Sequence, residues 1–95
     1  MTMAPMETAL REEMARIGAE FRALGLAPGT SGNLSARLDD GWLMTPTNVA
    51  LGDLVPERIS KLDWDGNHLA GDKPTKEAVL HRAFYENRPG TGAVV

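Results

Sequence analysis

The stretch Leu34-Ser35-Ala36-Arg37-Leu38-Asp39-Asp40-Gly41-Trp42-Leu43-Met44-Thr45 decides the fold class. Leu34, Ala36 and Leu38 alternate with Ser35 and Arg37, the period-two pattern of a half-buried strand. Asp39-Asp40-Gly41 is a hairpin turn signal, because Asp and Gly accept the tight backbone such a turn needs. Gly41 to Thr45 is the return strand, and Pro46-Thr47-Asn48 breaks it. The hairpin implies an antiparallel sheet, and the pattern on either side adds helices to it.

Upstream, Leu10, Met14, Ile17, Phe21 and Leu24 step by four, three, four and three residues, which is one face of a helix. Glu7, Arg11, Glu12, Arg16, Glu20 and Arg22 fall mostly off that face. Gly25 suits a left-handed cap, with Leu26 making a hydrophobic contact just past it. Residues 27–33 are rich in turn formers. Downstream, Leu51 to Ile59 reads as a short connecting turn or helix with Pro56 near its start. Ser60 to Trp64 is a third strand, Asp65-Gly66-Asn67 a tight turn, and His68 to Ala70 a fourth strand. Thr75 opens a second helix with Ala78, Val79, Ala83 and Phe84 on its apolar side, ending before Pro89-Gly90. Gly92-Ala93-Val94-Val95 reads as the start of a buried strand. Termini are usually polar and exposed, so the expectation is that residues 1–95 are the front part of a longer fold.

Composition sets the boundaries. With 95 residues the chain is one small domain at most, and a chain of this size buries about 60–65% of its unfolded surface. It has no cysteine, which excludes a disulfide framework and a zinc–thiolate site and fits a reducing, cytoplasmic setting. No apolar run approaches the length of a membrane span, and Met1 to Pro5 does not resemble a signal peptide. A net charge of −3 argues against a nucleic-acid module.

Three loops carry side chains suited to an anion: residues 29–33, residues 45–48 and residues 73–77. Glycines let backbone N–H groups approach an anion, while Thr hydroxyls and the Asn amide donate to phosphate oxygens. The third loop runs into a helix N-terminus, where negative charge is favoured, and Lys76 adds a positive charge there. Residues 29–33 do not form a P-loop, lacking its terminal Gly-Lys-Ser/Thr. Glu77 reads either as a first-turn residue favouring the helix dipole or as a general acid/base or metal-adjacent carboxylate. His81 shares its helix face four residues on, a spacing that is usually structural. His68 reads as solvated, and Trp42 and Trp64 as packing residues on strands.

Taken together, the loops resemble the N-terminal part of the class II aldolase/adducin family. The resemblance rests on Gly29-Thr30-Ser31-Gly32-Asn33-Leu34-Ser35-Ala36-Arg37, Leu43-Met44-Thr45-Pro46-Thr47, Asp63-Trp64-Asp65-Gly66-Asn67 and Lys73-Pro74-Thr75-Lys76-Glu77. Arg88-Pro89 and Gly92-Ala93-Val94-Val95 complete it, in family order and over nearly the whole chain. Within the family, residues 71–77 and 42–48 look most like the 3-oxo-tetronate 4-phosphate decarboxylase branch. Aldolases more often carry two serines where Thr75 and Lys76 stand. Asn48 replaces a usual glycine, and Asn tolerates the left-handed backbone.

The resemblance implies an α/β fold: a three-layer α/β/α sandwich with a mostly antiparallel sheet, of which residues 1–95 are the N-terminal portion. It implies that Thr30, Gly32 and Asn33 hold the substrate phosphate, helped by Thr47, Asn48, Thr75 and Lys76. Glu77 matches the catalytic carboxylate that moves protons at the reacting carbon and can approach the metal. The family's zinc (Zn2+) is held by three histidines, two from a His-x-His expected just after Val95 and one much further on. The implied function is a zinc-dependent carbon–carbon lyase, decarboxylating a 3-oxo-tetronate 4-phosphate to dihydroxyacetone phosphate through an enediolate, with the 95-residue piece alone inactive. An aldolase or 4-epimerase acting on fuculose or ribulose phosphate is the alternative within the family. A non-catalytic adducin-like module is the alternative outside enzymology. The expected partner is a small sugar-acid phosphate, without nucleic acid or membrane, in a homotetramer when full length.

Overall fold

The computed structural model describes residues 5–26, 32–88 and 90–94. Helix α1 is Pro5–Ala23, strand β1 is Ser35–Arg37 and β2 is Trp42–Met44. Two 3-10 turns, Leu51–Asp53 and Pro56–Arg58, lead to β3 at Ser60–Leu62. Strand β4 (His68–Ala70), helix α2 (Ala78–Asn87) and β5 (Ala93–Val94) follow. The strands form one sheet in the order β4-β3-β2-β1-β5, and each described pairing is antiparallel. No helix among the described residues is long and apolar enough to cross a membrane.

The strand period of two sorts side chains onto the two sheet faces. Ala36 pairs with Leu43, which pairs with Lys61, on the face that α1 covers. There Met14, Leu34, Ala36, Leu38, Leu43, Leu51, Leu54 and Ile59 form one buried cluster, with Leu10, Ile17 and Phe21 packed against it. Ser35, Arg37, Trp42, Met44 and Leu62 project to the other face, towards α2. There Trp42, Met44, Leu62 and Tyr85 form a second cluster. Two helices on opposite faces of an antiparallel sheet give the three layers expected from the sequence. Gly18 lets α1 lie against the Leu51–Asp53 turn, because a Cβ at that position would come within 2.1 Å of the Leu51 carbonyl oxygen.

Several local expectations need correction. Glu7 and Arg11 are buried rather than off the packed face. The Arg11 guanidinium donates to Glu7 and to the carbonyls of Pro56 and Ile59, so α1 fastens the chain between its turns and β3 through ion-assisted hydrogen bonds. Gly25 has the left-handed conformation (φ 72°), and Leu26 N–H closes back on the Phe21 carbonyl. Leu24 and Leu26 are nevertheless exposed, so the apolar contact expected past the cap is not made.

Strand β3 ends at Leu62 rather than Trp64, because Asp63 Oδ1 accepts from Asp65 N–H and Asn67 N–H and turns the chain. Helix α2 begins at Ala78 rather than Thr75, with residues 76 and 77 in a turn. Its expected apolar side is only partly packed: Ala78 lies against the second cluster and Ala83 is half-buried, but Val79 and Phe84 are exposed, while His81 and Tyr85 are buried. The stacking of Tyr85 among Trp42, Trp64 and Arg37 outweighs aliphatic patterning there. Strand β5 pairs with β1 at the end of the described strand order, with Ala93 exposed and Val94 half-buried against the second cluster.

Candidate functional site

Residues 32–33, 45–48 and 73–77 lie far apart in sequence and meet at one end of the sheet. Thr45 leaves β2 at 1% exposure, and an isolated bridge pairs Pro46 with Pro74. Thr47 N–H donates to the Lys73 carbonyl (2.9 Å), and Thr75 N–H to the Thr45 carbonyl (3.4 Å). The second and third loops are thus joined by backbone bonds. Asn48 takes φ 58°, so it occupies the left-handed position that the sequence assigned to it.

Side chains tie in the first loop. Thr45 Oγ1 accepts from Leu34 N–H (3.4 Å) and donates to Asn33 Oδ1 (3.1 Å). The Asn33 amide is thereby oriented with Nδ2 towards Glu77, where it donates to Oε2 at 2.5 Å. Donors and acceptors run in one direction along Leu34, Thr45, Asn33 and Glu77, so each bond polarises the next. Thr75 Oγ1 accepts from Glu77 N–H (3.4 Å), a local side-chain turn ahead of α2.

Of the residues singled out in the sequence, Asn33 and Glu77 touch directly, and Thr47 and Thr75 belong to the same cluster of loops. Gly32 is exposed with φ 86°, and Asn48 and Lys76 are exposed beside the cluster. Thr30 lies outside the described residues, as do Gly29, Ser31 and Val95. Thr45 opens the second of the anion-suited loops read from the sequence, but its hydroxyl faces Asn33 and Leu34, which the sequence did not indicate.

Behind Glu77 lies a second polar group that the sequence did not reveal. Ser35 Oγ is 2.7 Å from His81 Nδ1 and 2.7 Å from the Tyr85 hydroxyl. Burial lowers the His81 pKa, opposed by the negative charge of Glu77, so the neutral ring is favoured. Burial raises the Tyr85 pKa, opposed by the Ser35 hydrogen bond and the Arg37 charge. Arg37 stands 5.0 Å from the ring centres of both Trp64 and Tyr85 and donates to the Tyr85 and Thr91 carbonyls.

His81 Nδ1 engages Ser35, and the Glu77 carboxylate engages Asn33 through Oε2. Among the described residues no group of three or more His, Cys, Asp or Glu side chains could hold a metal ion. These donors do not fit a zinc site on their own. The chemistry open to the chain's own residues is anion binding, orientation and proton transfer by Glu77.

This fold and loop cluster define a class. The family model of the class II aldolase and adducin N-terminal domain matches residues 12–95, and the chain belongs to that family. It is 51% identical over 89 residues to 3-oxo-tetronate 4-phosphate decarboxylase of Cupriavidus necator, covering 94% of this chain and 41% of that protein. It is 42% identical over 76 residues to L-fuculose phosphate aldolase of Escherichia coli, covering 80% of this chain and 35% of that protein. The crystal structure of YgbL from Escherichia coli superposes with a TM-score of 0.89 at 47% identity, covering 93% of this chain and 43% of that one. The fold is thus that of class II aldolases, and the chain spans less than half the length of these relatives.

Proposed function

We propose that residues 1–95 are the N-terminal portion of a single class II aldolase-like domain in a carbon–carbon lyase that decarboxylates a 3-oxo-tetronate 4-phosphate. Asn33, Thr47, Asn48, Thr75 and Lys76, with Gly32 and Thr30, hold the substrate's phosphate and carboxylate ends. Glu77 is the acid/base group. Breaking the bond to the carboxylate releases carbon dioxide and sends its electron pair into the neighbouring ketone, forming an enediolate. A proton delivered by the Glu77 carboxyl to the carbon that lost carbon dioxide completes dihydroxyacetone phosphate. Positioned proton transfer of this kind contributes about 10²–10⁴-fold.

The observation that carries this reading is the hydrogen bond from Asn33 to Glu77, which joins the first and third loops through side chains suited to those two roles. The identity of about half to a named decarboxylase supports the substrate class. The identity to L-fuculose phosphate aldolase favours a second reading, in which the same site cleaves or epimerises a sugar phosphate. The zinc ligands of the resemblance would come from residues outside 1–95, and the assembled protein is proposed to be a homotetramer. The presence of both Glu77 and Asn33 weighs against a non-catalytic module.

The test assays a complete protein carrying these residues against 3-oxo-tetronate 4-phosphate and L-fuculose 1-phosphate. Metal-dependent release of carbon dioxide with the first substrate, lost in Glu77→Gln, is expected. Cleavage of the second alone replaces the leading reading with the aldolase one. The purified 95-residue chain is expected to show no turnover, and turnover by it would refute the proposed division of the domain.

A further inference from the structure

Three same-face positions along β1 and its lead-in meet three same-face positions along α2 and its lead-in. Asn33 bonds Glu77, Ser35 bonds His81 and Tyr85, and Arg37 bonds the Tyr85 carbonyl. The two spacings run in step. Two strand residues advance about 6.6 Å, and four helix residues advance about 6.0 Å. A strand read at every second residue therefore stays level with a helix read at every fourth.

Ser35 is the centre of this series. It is 3% exposed, and its backbone pairs with Met44 on one side and Val94 on the other, so it sits within the sheet rather than at its edge. Its hydroxyl lies within hydrogen-bond distance of both His81 and Tyr85. Meanwhile Val79, Leu80 and Phe84 of α2 are exposed among residues 1–95, and of the apolar aliphatic side chains of α2 only the small Ala78 packs against the second cluster. His81 N–H donates to the Glu77 carbonyl (3.2 Å), which carries any shift of His81 to Glu77.

We propose that Ser35, acting through His81 and Tyr85, is a positioning residue that sets where α2 lies along β1 and so where the Glu77 carboxylate meets Asn33. Its importance for turnover rests on the reading of Glu77 as the acid/base group. The placement of the helix does not. A small misplacement of an acid/base group lowers the chemical step far more than binding.

The test uses the complete protein with Ser35→Ala, Tyr85→Phe, His81→Asn and His81→Leu, read by hydrogen exchange of residues 78–85 and by steady-state kinetics. Ser35→Ala is expected to speed exchange in the first turn of α2 by about tenfold. It is expected to lower kcat about tenfold to a hundredfold with KM nearly unchanged. His81→Asn, which keeps a polar atom for Ser35, is expected to retain most of kcat, whereas His81→Leu loses it. Unchanged exchange in Ser35→Ala, or equal losses in the two His81 variants, overturns the proposal. If Ser35→Ala does not fold, Tyr85→Phe and the His81 pair decide by the same readouts. If the parent protein shows no lyase activity, the functional reading fails while exchange still decides the positioning role.

Discussion

Replacing Thr45 by Val tests the loop cluster at its hinge. Valine has nearly the shape of threonine, so the change removes a hydroxyl from a site at 1% exposure and leaves the packing in place. Two hydrogen bonds go: the one donated to Asn33 Oδ1 at 3.1 Å and the one accepted from Leu34 N–H at 3.4 Å. The second is long and contributes little. Orphaning a buried polar group costs about 1–3 kcal/mol, and half-buried Asn33 can recover some solvent, so the net loss should be about 1–2 kcal/mol. In a domain of about 150–250 residues, of which residues 1–95 are proposed to be a portion, each kcal/mol lowers Tm by about 2–4 °C. Asn33 also loses the partner that orients its amide, so Nδ2 is no longer held at Glu77. Thermal unfolding measures the first effect, and kcat/KM of the complete protein the second. Thr45→Ser keeps the hydroxyl and should retain the site while losing a methyl contact. If Thr45→Val melts with the parent, or if Val and Ser lower kcat/KM equally, the hydroxyl does not orient Asn33 and the reasoning fails.

Two further outcomes follow from the same structure. Arg11→Met should cost about 1–3 kcal/mol, because it leaves the Pro56 and Ile59 carbonyls without their donor while Glu7 keeps Lys61 at 2.8 Å. Arg16→Met, on an exposed ion pair with Glu13 and Glu20, should leave the urea midpoint nearly unchanged; equal midpoints for the two variants would contradict the buried role of Arg11. Tyr85 is the one tyrosine of the chain, so absorbance at 295 nm reports its ionisation alone. Its folded pKa is raised above the unfolded value of about 10, so the neutral phenol contributes stability below pH 10 that is lost as pH rises through the folded value. A tyrosine titrating at its free value in the folded protein would contradict the burial that raises it.

Elements whose cause is local were legible in the sequence. The stepped apolar face of α1, the Asp-Asp-Gly hairpin, the left-handed Gly25 and the Asp65-Gly66 turn each follow from neighbouring residues, while the left-handed Asn48 was implied by the glycine usual at that place in the family the chain resembles. The order of the three loops, read as a resemblance, pointed to the family that the comparison then established. The facing of α2 was not legible. Val79 and Phe84 look like part of a core stripe, but Tyr85 has two tryptophans and the Arg37 guanidinium around it and His81 a serine, and those partners come from residues 35–64. For the same reason, Glu7 and Arg11 read as surface charges. Their burial depends on carbonyls about 45 residues away, which no periodicity records. Ser35 and Tyr85 escaped notice, and Thr45 was read only as part of a loop, because a hydroxyl acquires a role through the partner it meets in three dimensions.

The choice between carboxy-lyase and aldehyde-lyase turns on one charge, and Lys76 is where it can be measured. A 3-oxo-tetronate 4-phosphate carries a carboxylate as well as a phosphate, while fuculose phosphate carries the phosphate alone. Lys76 is exposed and adjoins Glu77 at the head of α2, so a cation there can serve the extra carboxylate. A unit-charge pair 4 Å apart is worth about 1 kcal/mol in water, or about fivefold in affinity. Lys76→Ser should therefore raise KM for the acid substrate about fivefold and leave that for the sugar phosphate nearly unchanged, with the difference shrinking as salt is added. An equal rise for both substrates would mean that Lys76 serves the phosphate they share. The charge would then carry no discrimination, and the preference for decarboxylation would have to be built by residues elsewhere in the site.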